Sequence, residues 1–306
     1  MINTDEFSNP EFWCARAPAF HVGDEAALRA ARAFRPGNEE AADLAGRIRQ
    51  EGYFRLHHQF GLDMPAMAGL IRTLSADKIP PVFAFVYDEF WAPFRALDSL
   101  YGGLLGRYGM LPNFWAWNID PGKGDAGWTP HRDQGYISLR PDGSPMSLTT
   151  WIPLTDATPL NSCMYVVPAD ADPTYGTPRQ DLHQFELPAI RALPAAPGDV
   201  LVWNQAVLHW GSRGSWREKE TRVSIAFEFQ AGDAPPLREP ILPPGKLVPF
   251  ETRLALIGWQ ILQYRHMYRI DPKIQKLAAE LAAPLLPEPL GGIVPQRRSA
   301  DSPRNA

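Results

Sequence analysis

From Thr221 to Phe229 the chain alternates without a break: Val223, Ile225, Phe227 and Phe229 are apolar, and Arg222, Ser224, Ala226 and Glu228 fill the positions between them. A period of two marks a β-strand with one face in a core and the other turned away from it. The register is strict, because a slip by one residue would drive an arginine and a glutamate into that core. The reading extends upstream. Residues 112 to 230 hold roughly eight short strand-like runs separated by Pro, Gly, Asn and Asp, which is the pattern of a sandwich or jelly roll.

The flanks read differently. Glu39 to Gln50 has helical periodicity, Tyr53-Phe54-Arg55-Leu56 after Gly52 starts a strand, and Met64 to Leu74 and Phe85 to Tyr108 are expected as further helices. Pro235, Pro236, Pro240, Pro243, Pro244 and Pro249 bar the segment 234–249 from a sheet. Beyond it, Leu254, Ile257, Ile261, Tyr264 and Tyr268 predict a helix over 251–270, resumed from Pro272 to Ala283. The expected fold is mainly β with a helical layer: a double-stranded β-helix (jelly roll) core at 112–230, flanked by N-terminal and C-terminal helices at 39–110 and 251–283. Residues 1–285 are expected as one domain, with 286–306 a flexible tail.

A formal net charge of −4 gives no electrostatic case for a nucleic-acid partner. Cys14 and Cys163 make no disulfide framework and read as free thiols of a reducing compartment. No apolar run reaches the length of a membrane span, the first residues lack a secretory pattern, and the last three are not a peroxisomal address. A cytoplasmic chain without stable membrane insertion is expected.

The chemistry concentrates at His131-Arg132-Asp133, at His209, and at Arg222 with Ser224. On an extended strand, residues i and i+2 share a face, so His131 and Asp133 converge while Arg132 points away. His209 follows the strand Val200 to Gln205 and supplies a third ligand. Two imidazoles and one carboxylate with open positions form the facial triad of non-haem Fe(II) oxygenases. Arg222 and Ser224, projecting together, suit a carboxylate: the planar fork bonds both oxygens and the hydroxyl adds a donor. The bland readings are a salt-bridged strand pair for His131 and Asp133, a hydrogen-bonded core histidine for His209, and a surface charge for Arg222. His183 competes as third ligand, and His57-His58 reads as surface or turn.

The string Gly127 to Tyr136, the block Leu148-Thr149-Thr150-Trp151-Ile152-Pro153-Leu154 through Pro159, and Asn161 to Pro168 resemble the phytanoyl-CoA dioxygenase family of Fe(II)/2-oxoglutarate oxygenases. So does the order of the motifs, over about residues 112 to 230. The resemblance implies that His131, Asp133 and His209 hold Fe(II), and that 2-oxoglutarate chelates it with its far carboxylate on Arg222 and Ser224. It also implies that O2 takes the last position and that succinate and CO2 are released as an unactivated C–H of a small molecule is hydroxylated. Trp151 is implied near the 2-oxoglutarate pocket, and Asn118 is the stand-in for an upstream Lys or Gln that family members often carry. Asp133 argues against halogenation, where a small residue replaces the carboxylate. The family's Pro-Gly-Ser-His is here Pro168-Ala169-Asp170-Ala171-Asp172, so a loop near the site differs.

Three other readings stay open: a jelly-roll metalloenzyme that does not use 2-oxoglutarate, a non-catalytic binding module on the same scaffold, and a membrane-surface oxygenase using the basic residues Arg265, His266, Arg269 and Lys273.

Overall fold

The computed structural model describes residues 4–285, so the tail expected at 286–306 lies outside the described residues. Eight strands occur among them: β1 (Tyr53–His57), β2 (Tyr108–Ile119), β3 (Ser147–Pro153), β4 (Met164–Val167), β5 (Arg191–Leu193), β6 (Asp199–Asn204), β7 (Leu208–Gly211) and β8 (Arg222–Ala231). They form a five-stranded sheet in the order β1-β6-β3-β8-β2 and a three-stranded sheet in the order β5-β4-β7. Every pairing is antiparallel. Seven of the eight, all but β1, fall on or overlap the 112–230 core expected from sequence.

The alternation of β8 does what it predicts. Val223, Ile225, Phe227 and Phe229 join the main core against the helices, whereas Ala226 joins a second cluster between the sheets with Trp151, Met164, Leu201 and Trp203. Phe227 stacks on Phe114 of β2 at 5.1 Å between ring centroids, and Trp91 and Phe94 close over the pair. Large aromatic rings supply much of the apolar area removed from water here. β2 is an edge strand and tolerates Pro112, which lacks an N–H; its register against β8 shifts between Met110 and Phe114.

The helices at Asn38–Gln50 and Met64–Ala76 match expectation. The long helix expected over Phe85 to Tyr108 does not form. The chain instead makes short turns at Pro81–Val86 and Asp88–Phe90, then helices at Ala92–Ala96 and Asp98–Leu105, and Tyr108 already belongs to β2. Pro93, with no N–H to give, sits in the first turn of its short helix. The buried Asp88 carboxylate is engaged elsewhere, by the Arg253 guanidinium and the Asp24 amide. Arg253 also donates to the carbonyls of Val86 and Val248, which ties the C-terminal helix to this break.

That C-terminal helix spans Phe250–Tyr264, shorter than the 251–270 expected, and a second follows at Pro272–Ala282. Gly258 lets the two cross closely, since a Cβ there would stand 2.5 Å from the Ala278 carbonyl oxygen. Arg265, His266 and Arg269 lie in the exposed turn between them rather than on one basic helix face. Among the described residues no helix is long and apolar enough to cross a membrane.

Candidate metal centre

The backbone brings the two histidines together before their side chains do. His131 and His209 form an isolated antiparallel bridge, each amide donating to the other's carbonyl at 3.0 Å. His209 sits in β7, a strand of its own beyond β6. Gly127 and Gly211 permit this approach: a Cβ on Gly127 would fall 2.4 Å from the Gly211 Cα. The regular strand expected for His131 to Asp133 is replaced by this bridge followed by a bend. The cause is Arg132. Its buried guanidinium donates outward to the Ala206 carbonyl at 2.6 Å, to Asp172 Oδ2 at 2.6 Å and to Thr174 Oγ1 at 3.1 Å. The amides of Gln134 and Gly135 then both donate to the Gln205 carbonyl. Asp172 belongs to the loop that departs from the family pattern, so that loop braces the ligand-bearing bend from outside.

Both imidazoles aim Nε2 at one carboxylate oxygen. His131 Nε2 and His209 Nε2 each lie 3.5 Å from Asp133 Oδ1. The Nδ1 atoms face backbone carbonyls two residues upstream, Thr129 at 2.7 Å and Val207 at 3.1 Å. A carbonyl only accepts, so Nδ1 carries the proton and Nε2 of the neutral ring presents its lone pair. Asp133 is oriented by donors to its other oxygen: Thr149 Oγ1 at 2.6 Å and Trp203 Nε1 at 3.0 Å. Such partners fix a ligand's direction. His131 Nε2 is buried and no hydrogen-bond partner reaches it, which is the signature of an atom that awaits a metal. The three residues place their ligand atoms within 4.8 Å of one another.

Burial pushes the His209 pKa down to about 4, against the pull of Asp133. Burial also acts to lower His131, but the Asp133 carboxylate 3.5 Å from its Nε2 outweighs it, and the net shift is upward. The Asp133 carboxyl is lowered overall: burial opposes ionisation, and the histidines and the Thr149 hydroxyl favour it more strongly. His209, held neutral at pH 7, exerts that pull only when protonated. At neutral pH His131, whose pKa is raised, and the Thr149 hydroxyl carry the effect.

Arg222 is 2 % exposed, and among the described residues no carboxylate lies within ion-pair distance of it. It donates to Ser224 Oγ at 2.5 Å and to Ser162 Oγ at 3.4 Å, while its buried Nε has no acceptor. Its guanidinium carbon stands 5.5 Å over the Trp151 ring. Burial lowers its pKa to about 10, so it is a cation at neutral pH. A buried, unpaired guanidinium is costly unless an anion joins it. The triad, Arg222 and Trp151 all line one cavity of about 560 Å³, its open mouth included.

Asn118 is not part of that wall. In the β2–β8 register Asn118 opposes Val223, whereas Trp117 opposes Ser224 and Trp115 opposes Ala226. Directly paired residues share a face, so Asn118 lies on the helix side and Trp115 and Trp117 on the cavity side. His183 is exposed with a left-handed backbone, and His57 pairs with Asp199 away from the site. Glu228 and Asn113, which sequence reasoning did not single out, do line the cavity. For Glu228 the signal was present, since it shares its face with Arg222 and Ser224.

Residues 88–215 match the sequence model of the phytanoyl-CoA dioxygenase (PhyH) family. No sequence among the curated proteins matches the chain. Among solved structures, the non-heme monooxygenase ThoJ is similar with a TM-score of 0.51 at 16% identity, over 79% of this chain and 100% of that one. The non-heme alpha ketoglutarate dependent epimerase SnoN from nogalamycin biosynthesis is similar with a TM-score of 0.50 at 17% identity, over 68% of this chain and 96% of that one. These likenesses speak to the fold. Over residues 88–215 the chain is thus similar to the phytanoyl-CoA dioxygenase family, and all three residues of the triad fall within that span.

Proposed function

We propose that this chain is an Fe(II)- and 2-oxoglutarate-dependent oxygenase that oxidises an unactivated C–H of a small molecule, with hydroxylation the expected outcome. One observation carries the reading: two imidazole lone pairs and a carboxylate converge in a cavity that a buried arginine lacking an anion also lines. The donor set of two nitrogens and one oxygen suits Fe(II). The same fold in SnoN has been seen with Fe3+ and alpha ketoglutarate, which supports the same pair of ligands here. When bound, iron and 2-oxoglutarate supply an O2-dependent oxidation of C–H coupled to release of succinate and CO2.

The chain's own residues hold and orient. His131, Asp133 and His209 would hold the metal through two imidazole nitrogens and one carboxylate oxygen, a set that leaves it open to co-substrate, O2 and substrate. Arg222 and Ser224 receive the far carboxylate of 2-oxoglutarate, with Trp151 beneath the guanidinium to keep water from that end. The aromatic walls Trp117, Trp128 and Trp203 shield the substrate end from solvent. The test is succinate formation from 2-oxoglutarate by the iron-loaded protein, with and without Arg222→Ala. Loss of succinate in the variant supports the reading. Turnover that needs no added 2-oxoglutarate would instead favour a jelly-roll metalloenzyme of another kind.

A further inference from the structure

The cavity has two chemically opposite ends. Along β8, Arg222, Ala226 and Glu228 line it from alternate positions, so the cation and the carboxyl are separated by six residues, roughly 20 Å of strand. Glu228 pairs across the sheet with Thr149, whose hydroxyl donates to the metal ligand Asp133. The acidic end is therefore the Asp133 end, and Arg222 stands at the other end of the β8 face.

Glu228 is 9 % exposed and Asn113 is 3 % exposed. Both line the cavity, and Glu228 Oε2 and Asn113 Oδ1 are buried acceptors that no donor reaches. The shift in register between Met110 and Phe114 falls at Asn113, the kind of irregularity that re-aims a side chain. Gln205 and Asn113 flank the carboxyl, and Arg238, the cation that acts on it, forms no ion pair with it. Two orphaned acceptors side by side call for a ligand that donates. The nearby walls are Trp115, Trp128 and Tyr264, whose faces attract a positive charge.

The charges point the same way, given the proposed function. A divalent metal, the Asp133 carboxylate, the Arg222 guanidinium and a doubly charged 2-oxoglutarate balance one another with both histidines neutral. Burial first and Asp133 next raise the Glu228 pKa to about 8 against the weaker pull of Gln205, Arg238 and Asn113, so in the empty cavity its carboxyl is mainly neutral at pH 7 and ionises fully only when a cation joins it. A cationic substrate supplies the missing charge.

We propose that Glu228 and Asn113 form the substrate-recognition end of the cavity and select a small molecule carrying a protonated amine, whose N–H donors they accept. In this arrangement the amine is fixed on Glu228 and the neighbouring carbon skeleton extends past the metal, so Glu228 determines which substrate is held and which C–H is presented.

The experiment measures binding to the metal- and 2-oxoglutarate-loaded protein by quenching of the cavity tryptophans. A panel of primary, secondary and cyclic amines is compared with neutral alcohol and hydrocarbon isosteres. The proposal expects amines in the panel to bind about tenfold or more tightly than their isosteres. It also expects Glu228→Gln, which keeps the shape, to bring the preference to within about twofold, and Asn113→Ala to reduce it. Equal binding of amine and isostere, a preference that survives Glu228→Gln, or no binding by any amine overturns it. The wild-type comparison needs no variant to fold. Titration of 2-oxoglutarate into the same wild-type preparation tests the underlying reading separately: if that binds and the amine preference is absent, only the assignment of Glu228 and Asn113 falls.

Discussion

The Arg222 guanidinium donates to the Ser224 hydroxyl at 2.5 Å, two residues further along the same strand, and no described carboxylate pairs with it. The pair is a preformed receptor for one end of a dicarboxylate. Arg222→Ala is expected to weaken 2-oxoglutarate binding by about 30-fold or more, the scale of losing one partner of a buried charged hydrogen-bonded pair. Arg222→Lys should recover only part of this, because a point charge replaces the fork. Ser224→Ala should cost about tenfold or less. Calorimetric titration checks all three, and an Arg222→Ala protein with wild-type affinity would refute the assignment.

Metal affinity should fall with pH in a defined window. In the metal-free centre the His131 pKa is raised above 6.5, so a metal must displace a proton from it as pH drops through that raised value. His209, pushed down to about 4, adds competition only in more acidic solution. Asp133 stays ionised throughout this range. Apparent affinity should decline by about tenfold per pH unit once His131 protonates. Metal titrations from mildly alkaline to mildly acidic pH measure it, and an unchanged affinity across neutrality would show that His131 is not a ligand.

The brace behind the ligand bend should be costly to break. Arg132 and Asp172 side chains are 4% and 0% exposed, so Asp172→Ala leaves a buried guanidinium without its carboxylate, at about 3–5 kcal/mol of stability. The ion pair Arg140–Asp233 is a control, since the Asp233 side chain is 72% exposed and Asp233→Ala should cost about 1 kcal/mol or less. Denaturant unfolding of the two variants distinguishes them. Similar losses in both would mean the Arg132 pair does not hold the bend.

Asn118→Ala is expected to leave 2-oxoglutarate affinity within about twofold, the outcome for a side chain that touches no ligand. Its register opposite Val223 puts it across the sheet from the cavity. A large loss measured in the same titration would mean the strand face is assigned wrongly.

How far the sequence could be read follows from which forces act locally. The alternation of β8 gave the sheet faces, the pairing of Arg222 with Ser224 and, unremarked, the place of Glu228, because a period of two is a backbone property. His131 and Asp133 were found, but their setting was not. The bridge to His209 and the bend at Arg132 depend on Asp172, 40 residues away in the chain, and on Ala206, at a separation of 74. Asn118 was misplaced because a single strand shows which residues share a face and not which face meets the cavity; the partner register decides that. The helix expected over Phe85 to Tyr108 broke because apolar residues alone do not reveal Asp88 reaching Arg253 across the fold.

The most direct test of the account is anaerobic titration of Fe(II) and then 2-oxoglutarate into the protein, followed by the visible charge-transfer band of an iron–keto-acid chelate. The account predicts one Fe(II) and one 2-oxoglutarate per chain with the band developing, no band in His131→Ala, and a much higher 2-oxoglutarate requirement in Arg222→Ala. Absence of the band at saturating ligand, or an undiminished band in His131→Ala, would contradict it.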